Sequence, residues 1–555
     1  MSILRTFVLA VLLPAGALRS APAKDDAAWP REIRSGGSSI VLYEPQVESM
    51  KGDLLKVRAA ISVTPKGQTD PVFGALWATA KMRTDRDART VTMVSTKVDR
   101  LRFPEITDEQ EATMKGIVEK ETGHWQIVVG LDQLAALLAS AERERKTSDE
   151  LKSDPPKILV EKELAVLVVI DGEPRLQAVE SSSLQRVVNT PFGILFDPKA
   201  KAYFISNGDF WYQSRAATGP YAPVARPTAE VAKVTEAMKK ARKDAQKEAQ
   251  NDAPKDGAGD AVEKPPKTET PPKLLVTTEP AELISFDGPP DYVPVQGVSD
   301  LLYAKNTEGS VLVDLGSQRT FVLLSGRWFA AKTLEGPWTF VASDKLPASF
   351  AKIPAGAPVA DALSFVAGTP QAEDALLDAE IPQTTAVNRS DASLKVQYDG
   401  APKFEDIPGT GLNYAVNSST QVLSQGAKYY ACDQGVWYVS DSPDGPWAVS
   451  TTRPDTVDQI PPSSPAYNTK YVYIYDSTPD VVYVGYTPGY MGSYAWGPTV
   501  VYGTGWNYRP WYGTYYYPRP YTWGFRVGYN PWGGWSFGCG YSSGFYSWGL
   551  SLKHI

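Results

Sequence analysis

One pattern occurs three times along this chain. The segment YFISNGDFWYQSRAATGPY holds Trp211, Tyr212, Gly219, Pro220 and Tyr221, and FVLLSGRWFAAKTLEGPW holds Trp328, Phe329, Gly336, Pro337 and Trp338. The third copy, KYYACDQGVWYVSDSPDGPW, holds Trp437, Tyr438, Gly445, Pro446 and Trp447. Each copy is preceded by an Asp-Gly-x-Pro element (171–174, 287–290, 399–402), and between the two stands Asn189-Thr190, Asn306-Thr307 or Asn417-Ser418. The Asp-to-Asn spacing is 18, 19 and 18 residues, and the Asp-to-Trp spacing is 40, 41 and 38. Four markers in register three times define a repeated small β unit. Asp-Gly with a nearby Pro sets a tight turn, Asn marks another, and aromatic or β-branched runs lie between them. A unit of roughly 60 to 80 residues has a modest core and gains from stacking on its neighbours.

The rest of the chain falls into place around the repeats, and the fold expected is mainly β with a minor helical part. Residues 1–23 read as a secretory signal peptide: Arg5 is the positive start, 7–18 the short apolar run, and Ala21-Pro22-Ala23 a small-x-small cleavage site. Residues 24–150 read as an N-terminal β-rich domain with two helices. Thr107 and Gln110 form a capping box for the first, ending near Glu121, and the second runs from about Leu131 to Lys146. Repeat 1 spans 157–226. A linker, 227–272, begins with a solvated helix from Val231 to Glu248 and ends in a Pro-rich polar run that cannot bury enough apolar surface to order itself. Repeat 2 spans 274–354, a short helix comes after Pro370, and repeat 3 spans 394–461. In 467–486 two strands are expected around Thr478-Pro479-Asp480. Beyond them the 467–555 region turns rich in Gly, Tyr and Trp and poor in Leu and Ile. Its rings either wrap the third repeat or form an exposed recognition surface.

Composition narrows the chemistry. The net charge is −7, and losing Arg5 and Arg19 with the signal makes it −9, which argues against nucleic acid as a partner. The signal peptide makes the expected location exported, periplasmic or extracellular, and no later stretch is long and apolar enough to cross a membrane as a helix. Two histidines, His124 and His554, give no base for a Ser-His-Asp arrangement, and with two cysteines they supply no zinc set. No cofactor or metal is expected. Cys432 and Cys539 leave two readings open: a disulfide tying repeat 3 to the C-terminal region, or two lone thiols. Paired carboxylates for glycoside hydrolysis remain the minor reading, because the acids that recur, Asp171, Asp287 and Asp399, sit in turns where they cap backbone.

Binding fits the recurring residues better than catalysis. Sugar rings present C–H faces that stack on exposed aromatics, and turn Asn or Asp side chains can reach their hydroxyls. The candidate ligand-binding residues are therefore Trp211, Tyr212, Tyr221, Trp328, Phe329, Trp338, Trp437, Tyr438 and Trp447. The competing reading makes the first Trp of each copy a core residue. Its neighbour then points to the opposite face of the strand, so at most one of each pair faces the core of a single-sided sheet. The module G-x-W-Y/F-x(6)-G-P-W, at 326–338 and 435–447, resembles carbohydrate-binding modules of families 5 and 12. The layout from WPREI to YGTGW resembles bacterial secreted proteins labelled "carbohydrate-binding family V/XII". The first copy departs, with Asp209-Phe210 before its Trp. The resemblance implies non-catalytic binding of a polysaccharide or cell-wall glycan. The alternative is an envelope structural or interaction protein whose aromatic C-terminal segment docks on an envelope partner.

Overall fold

A computed structural model describes residues 29–240 and 270–513, with short breaks at 68–70, 104–106, 126, 207–209, 239, 308 and 391–392. It also gives the backbone of 516–517, 525–530 and 534–539. The expected signal peptide and most of the Pro-rich linker lie outside the described residues, as does the C-terminal end. The architecture is mainly β, with few helices and many antiparallel sheets. Among the described residues no helix is long and apolar enough to cross a membrane.

The N-terminal region is a seven-stranded antiparallel sheet whose longest hairpin joins Val72–Asp85 to Thr90–Arg102. The Thr107 capping box is present, opening helix α1, Asp108–Thr122. This helix also protects an open strand edge, since its Glu119 carboxylate accepts from the Val98 N–H at 2.8 Å. Helix α2, Leu131–Asp149, comes next. His124 is exposed beyond the end of α1.

Each repeat is a six-stranded antiparallel meander, at 176–224, 292–341 and 404–449. The three recurring Asn residues explain why the Asp-Gly-x-Pro element keeps its distance. Asn417 Oδ1 accepts from the Lys403 N–H, while its Nδ2 donates to the Asp399 and Ala401 carbonyls, all at 2.8–2.9 Å. Asn189 and Asn306 make the same three bonds in their own copies. One side chain thus satisfies three backbone groups of a turn that has no strand partner for them. At the other end of the motif, Gly219-Pro220, Gly336-Pro337 and Gly445-Pro446 are all cis, with the Gly at positive φ.

Repeats 1 and 2 are joined by exchange. Each begins with two short strands ahead of its Asp-Gly turn. Lys157–Glu161 pairs in parallel with Ala281–Ser285, and Ala165–Val169 pairs in parallel with Lys273–Thr277. The first strand of each repeat therefore pairs with the second strand of the other, and the reciprocal ion pairs Lys157–Glu279 and Lys273–Glu163 flank the exchange. Neither repeat covers this face alone: Val166 and Val168 in repeat 1 and Ile284 in repeat 2 share it with a strand from the other repeat. Ile158 and Val160 of repeat 1 pack under Phe329 and Val322 of repeat 2, while Leu274 of repeat 2 packs under Tyr212 and Ile205 of repeat 1.

The opposite faces are covered by the segment immediately C-terminal to each repeat. The helix at 229–238 lays Val231, Val234 and Met238 on the sheet of repeat 1, so this described part of the expected solvated helix is a cover instead. The 343–379 segment, ending in helix Pro370–Asp378, covers repeat 2. The 457–472 segment covers repeat 3. A three-stranded sheet of Gln383–Asn388, Val472–Ser477 and Val481–Tyr486 covers the remaining face of repeat 3, and includes the hairpin expected around Thr478-Pro479-Asp480. The N-terminal sheet docks near helix Pro370–Asp378, where Trp77 Nε1 donates to Glu380 at 2.7 Å and Arg102 pairs with Asp374 at 3.3 Å.

Candidate functional site

Of the nine aromatics expected to bind ligand, six are buried. Trp328, Phe329, Trp437, Tyr438, Tyr212 and Tyr221 all fall at or below 9% exposure. Trp211, Trp338 and Trp447 are half-buried. The expectation that only one member of each pair faces a core rested on a single-sided sheet, and repeats 2 and 3 do not have one. Consecutive residues of strands Arg327–Ala331 and Val436–Ser440 do point to opposite faces, and both faces are covered. Trp328 packs at right angles to Phe350, and its indole N–H donates to the Phe365 carbonyl at 2.8 Å; Trp437 donates to the Val472 carbonyl at 3.1 Å. In both copies the ring is fixed from the segment C-terminal to the repeat. Tyr212 and Tyr221 find carbonyls as well, at Pro272 and Ala217.

The three Asn residues are likewise engaged with turn backbone and do not present amides to a sugar. The motif Gly before each of the second and third Trp has a separate purpose. Gly326 and Gly435 sit at φ +73° and +74°, and a Cβ there would fall 2.7 Å from the Val500 carbonyl and 2.6 Å from the Tyr486 ring. The C-terminal chain passes directly over these glycines.

That passage builds a polar interior. The Arg327 guanidinium, 1% exposed, donates to the Ser325, Tyr502 and Gly503 carbonyls at 2.7–3.1 Å and lies 5.7 Å from the Trp496 ring. Burial lowers its pKa to about 9. Nearby, Tyr467, Tyr471 and Tyr494 form a triangle with ring centroids 5.1–5.7 Å apart. Lys470, also 1% exposed, places its ammonium 5.0 and 5.6 Å from the Tyr467 and Tyr471 rings, with no hydrogen-bond acceptor for Nζ. Burial drives the Tyr494 and Tyr502 hydroxyls well above the usual phenol range. Cys432 is a buried free thiol whose pKa burial also raises, and the Cys539 side chain lies outside the described residues. Glu282, on the repeat 2 strand that pairs with Lys157–Glu161 of repeat 1, shares the face of buried Ile284, and burial pushes its pKa up to about 8.

Of the residues that dominate this interior, only the oddity of Arg327 was legible in the sequence, as a cation where repeat 3 has Val436 and repeat 1 has Phe210. Lys470, Tyr494 and Tyr502 carried no local signal. A cavity of about 20 Å³ beside Tyr414, Gln421 and Pro465 has room for one water and none for a sugar ring. Among the described residues no group of three or more His, Cys, Asp or Glu is placed to hold a metal ion. Family models, curated proteins and solved structures were compared with the chain, and none matches.

Proposed function

We propose that this chain is an exported, non-catalytic structural or interaction protein of the cell envelope, built to hold a rigid multi-repeat body. The observation that carries this reading is the fate of the recurring aromatics. The most regular sequence feature of the chain is used to seal each repeat against its neighbours and covers, so the pattern serves assembly. A buried cation such as Arg327, held by three carbonyls of which two belong to the C-terminal segment, serves the same end.

A second reading, binding of a polysaccharide or cell-wall glycan, keeps one specific support. Trp338 and Trp447 remain half-buried beside the exposed prolines Pro337 and Pro446, at the same position of two repeats. A pull-down of the purified chain on chitin, cellulose and peptidoglycan, run beside solubilised envelope proteins on a second matrix, separates the two. The structural reading expects capture by the protein matrix and none by the glycans. Retention on one glycan, lost when Trp338→Ala and Trp447→Ala are combined in a chain that circular dichroism shows to be folded, would replace it with the glycan reading.

A further inference from the structure

We propose that residues 505–513 form a releasable strap that locks repeat 1 to repeat 3 through their equivalent Asp-Gly-x-Pro turns. The residue after the Pro is Arg175 in repeat 1, Asp291 in repeat 2 and Lys403 in repeat 3. Only the first and third turns offer a cation there, and each cation receives one of two adjacent strap rings. Lys403 Nζ lies 4.8 Å from the centre of the Trp511 ring, and the Arg175 guanidinium lies 4.3 Å from that of Tyr512. In repeat 2 the corresponding Asp291 is paired instead with Lys305 at 2.9 Å.

Two further contacts fix the register of the strap. Trp511 Nε1 donates to Asp399 Oδ2 at 2.9 Å, the Asp being the first residue of the repeat-3 turn. Gly513 lies so close to that same carboxylate that a side chain there would collide with it. Upstream, the strap is anchored where the N-terminal region meets repeat 1. Lys152 N–H donates to the Thr504 carbonyl at 2.9 Å, Trp506 Nε1 donates to the Glu150 carbonyl at 3.0 Å, and Lys152 Nζ sits 4.0 Å from the Trp506 ring. Between these ends the Tyr508 hydroxyl donates to the Pro462 carbonyl at 2.6 Å, just beyond repeat 3.

One short segment thus touches the approach to repeat 1, the end of repeat 3 and the cationic turn of both. The contacts differ in kind from those inside the repeats. Arg175 and Lys403 are exposed, and Trp511 and Tyr512 are half-buried, so the lock is made of cation–ring contacts at the surface, while the repeats hold by buried apolar faces. Such a segment opens at a small fraction of the free energy needed to unfold a repeat. When it opens, the two cationic turns are uncovered together.

The test is limited proteolysis of the full chain with chymotrypsin, tracking by mass spectrometry the cleavages within 506–512. Where the segment opens and closes faster than it is cut, cleavage tracks the open population. The double variant Arg175→Gln with Lys403→Gln should be cut roughly tenfold faster in this window, the effect of losing two exposed cation–ring contacts. The cation-keeping variant Arg175→Lys with Lys403→Arg should be cut at the wild-type rate, and Asp291→Asn should change nothing. Both substituted positions are exposed, so the variants fold, and an unchanged thermal transition confirms it. Equal cleavage in wild type and the Gln variant would overturn the proposal, as would equal acceleration in both double variants.

Discussion

Asn417 offers the sharpest test of what holds a repeat together. Its side chain is fully buried and accepts one backbone N–H while donating to two carbonyls. Asn417→Ala deletes three neutral hydrogen bonds, each with a net worth of about 1 kcal/mol, and strands their partners where water does not reach. The loss should come to about 3–4 kcal/mol. Asn306 makes the same three bonds in repeat 2, but it is only partly buried and its bonds lie near solvent. Water can replace the lost partners there, so Asn306→Ala should cost about 1 kcal/mol. Asn417→Asp adds a control of sign. It keeps the acceptor and turns an oxygen toward two carbonyl oxygens, which holds the new carboxyl's folded pKa above its unfolded value. That variant should therefore be most stable below the ordinary carboxylate range and lose stability as pH rises through that range towards the folded value. The assay is native-state hydrogen exchange at strands Phe404–Ile407 and Leu412–Ala415, with the matching repeat-2 strands read in the Asn306 variant, alongside urea unfolding. If the two Ala variants lose the same stability within about 0.5 kcal/mol, burial does not set the strength of this staple and the reasoning fails.

Three other outcomes are expected from the interior. Glu282 has a folded pKa of about 8 against an ordinary 4.5, so wild-type stability should fall as pH rises between those values. Glu282→Gln should remove that slope and stabilise the chain by about 1–3 kcal/mol at pH about 9, less than the full shift implies because the residue keeps some contact with water; a slope that persists in the variant would assign it to another group. Lys470→Met keeps the aliphatic stem and removes an ammonium with no acceptor, exchanging a cation–ring attraction of at most about 2 kcal/mol for relief of a larger desolvation penalty. A rise in the thermal midpoint is expected, and a fall of several degrees would mean that the tyrosines hold the charge better than water does. Trp437→Ala should cost about 3–5 kcal/mol by leaving a large cavity under repeat 3, whereas Trp447→Ala at the half-buried turn should cost less than half as much, both read by urea unfolding.

The covalent order of residues determined a good deal of this protein. The register of Asp, Asn, Trp and Gly-Pro markers located three β units, because each marker answers a local demand: Gly at positive φ, Asn bridging a turn, Pro before an aromatic. The α1 cap was equally local, set by Thr107 and Gln110 three residues apart. What a sequence does not carry is whether a strand face meets water. Alternation put Trp328 and Phe329 on opposite sides, and that much was legible. Tertiary structure alone decided that both sides are sealed, since the covers come from Ile158 and Val160 on one face and Phe350 and Phe365 on the other, the first pair about 170 residues away in the chain. The strand exchange between repeats 1 and 2 is hidden for a related reason. Equivalent strands have similar apolar patterns, and only packing selects the other repeat's strand over the repeat's own. Buried Arg327 and Lys470, and the aromatics of 494–512 that pack over them or bind the turns, acquire their roles from neighbours that the fold brings together across long stretches of sequence.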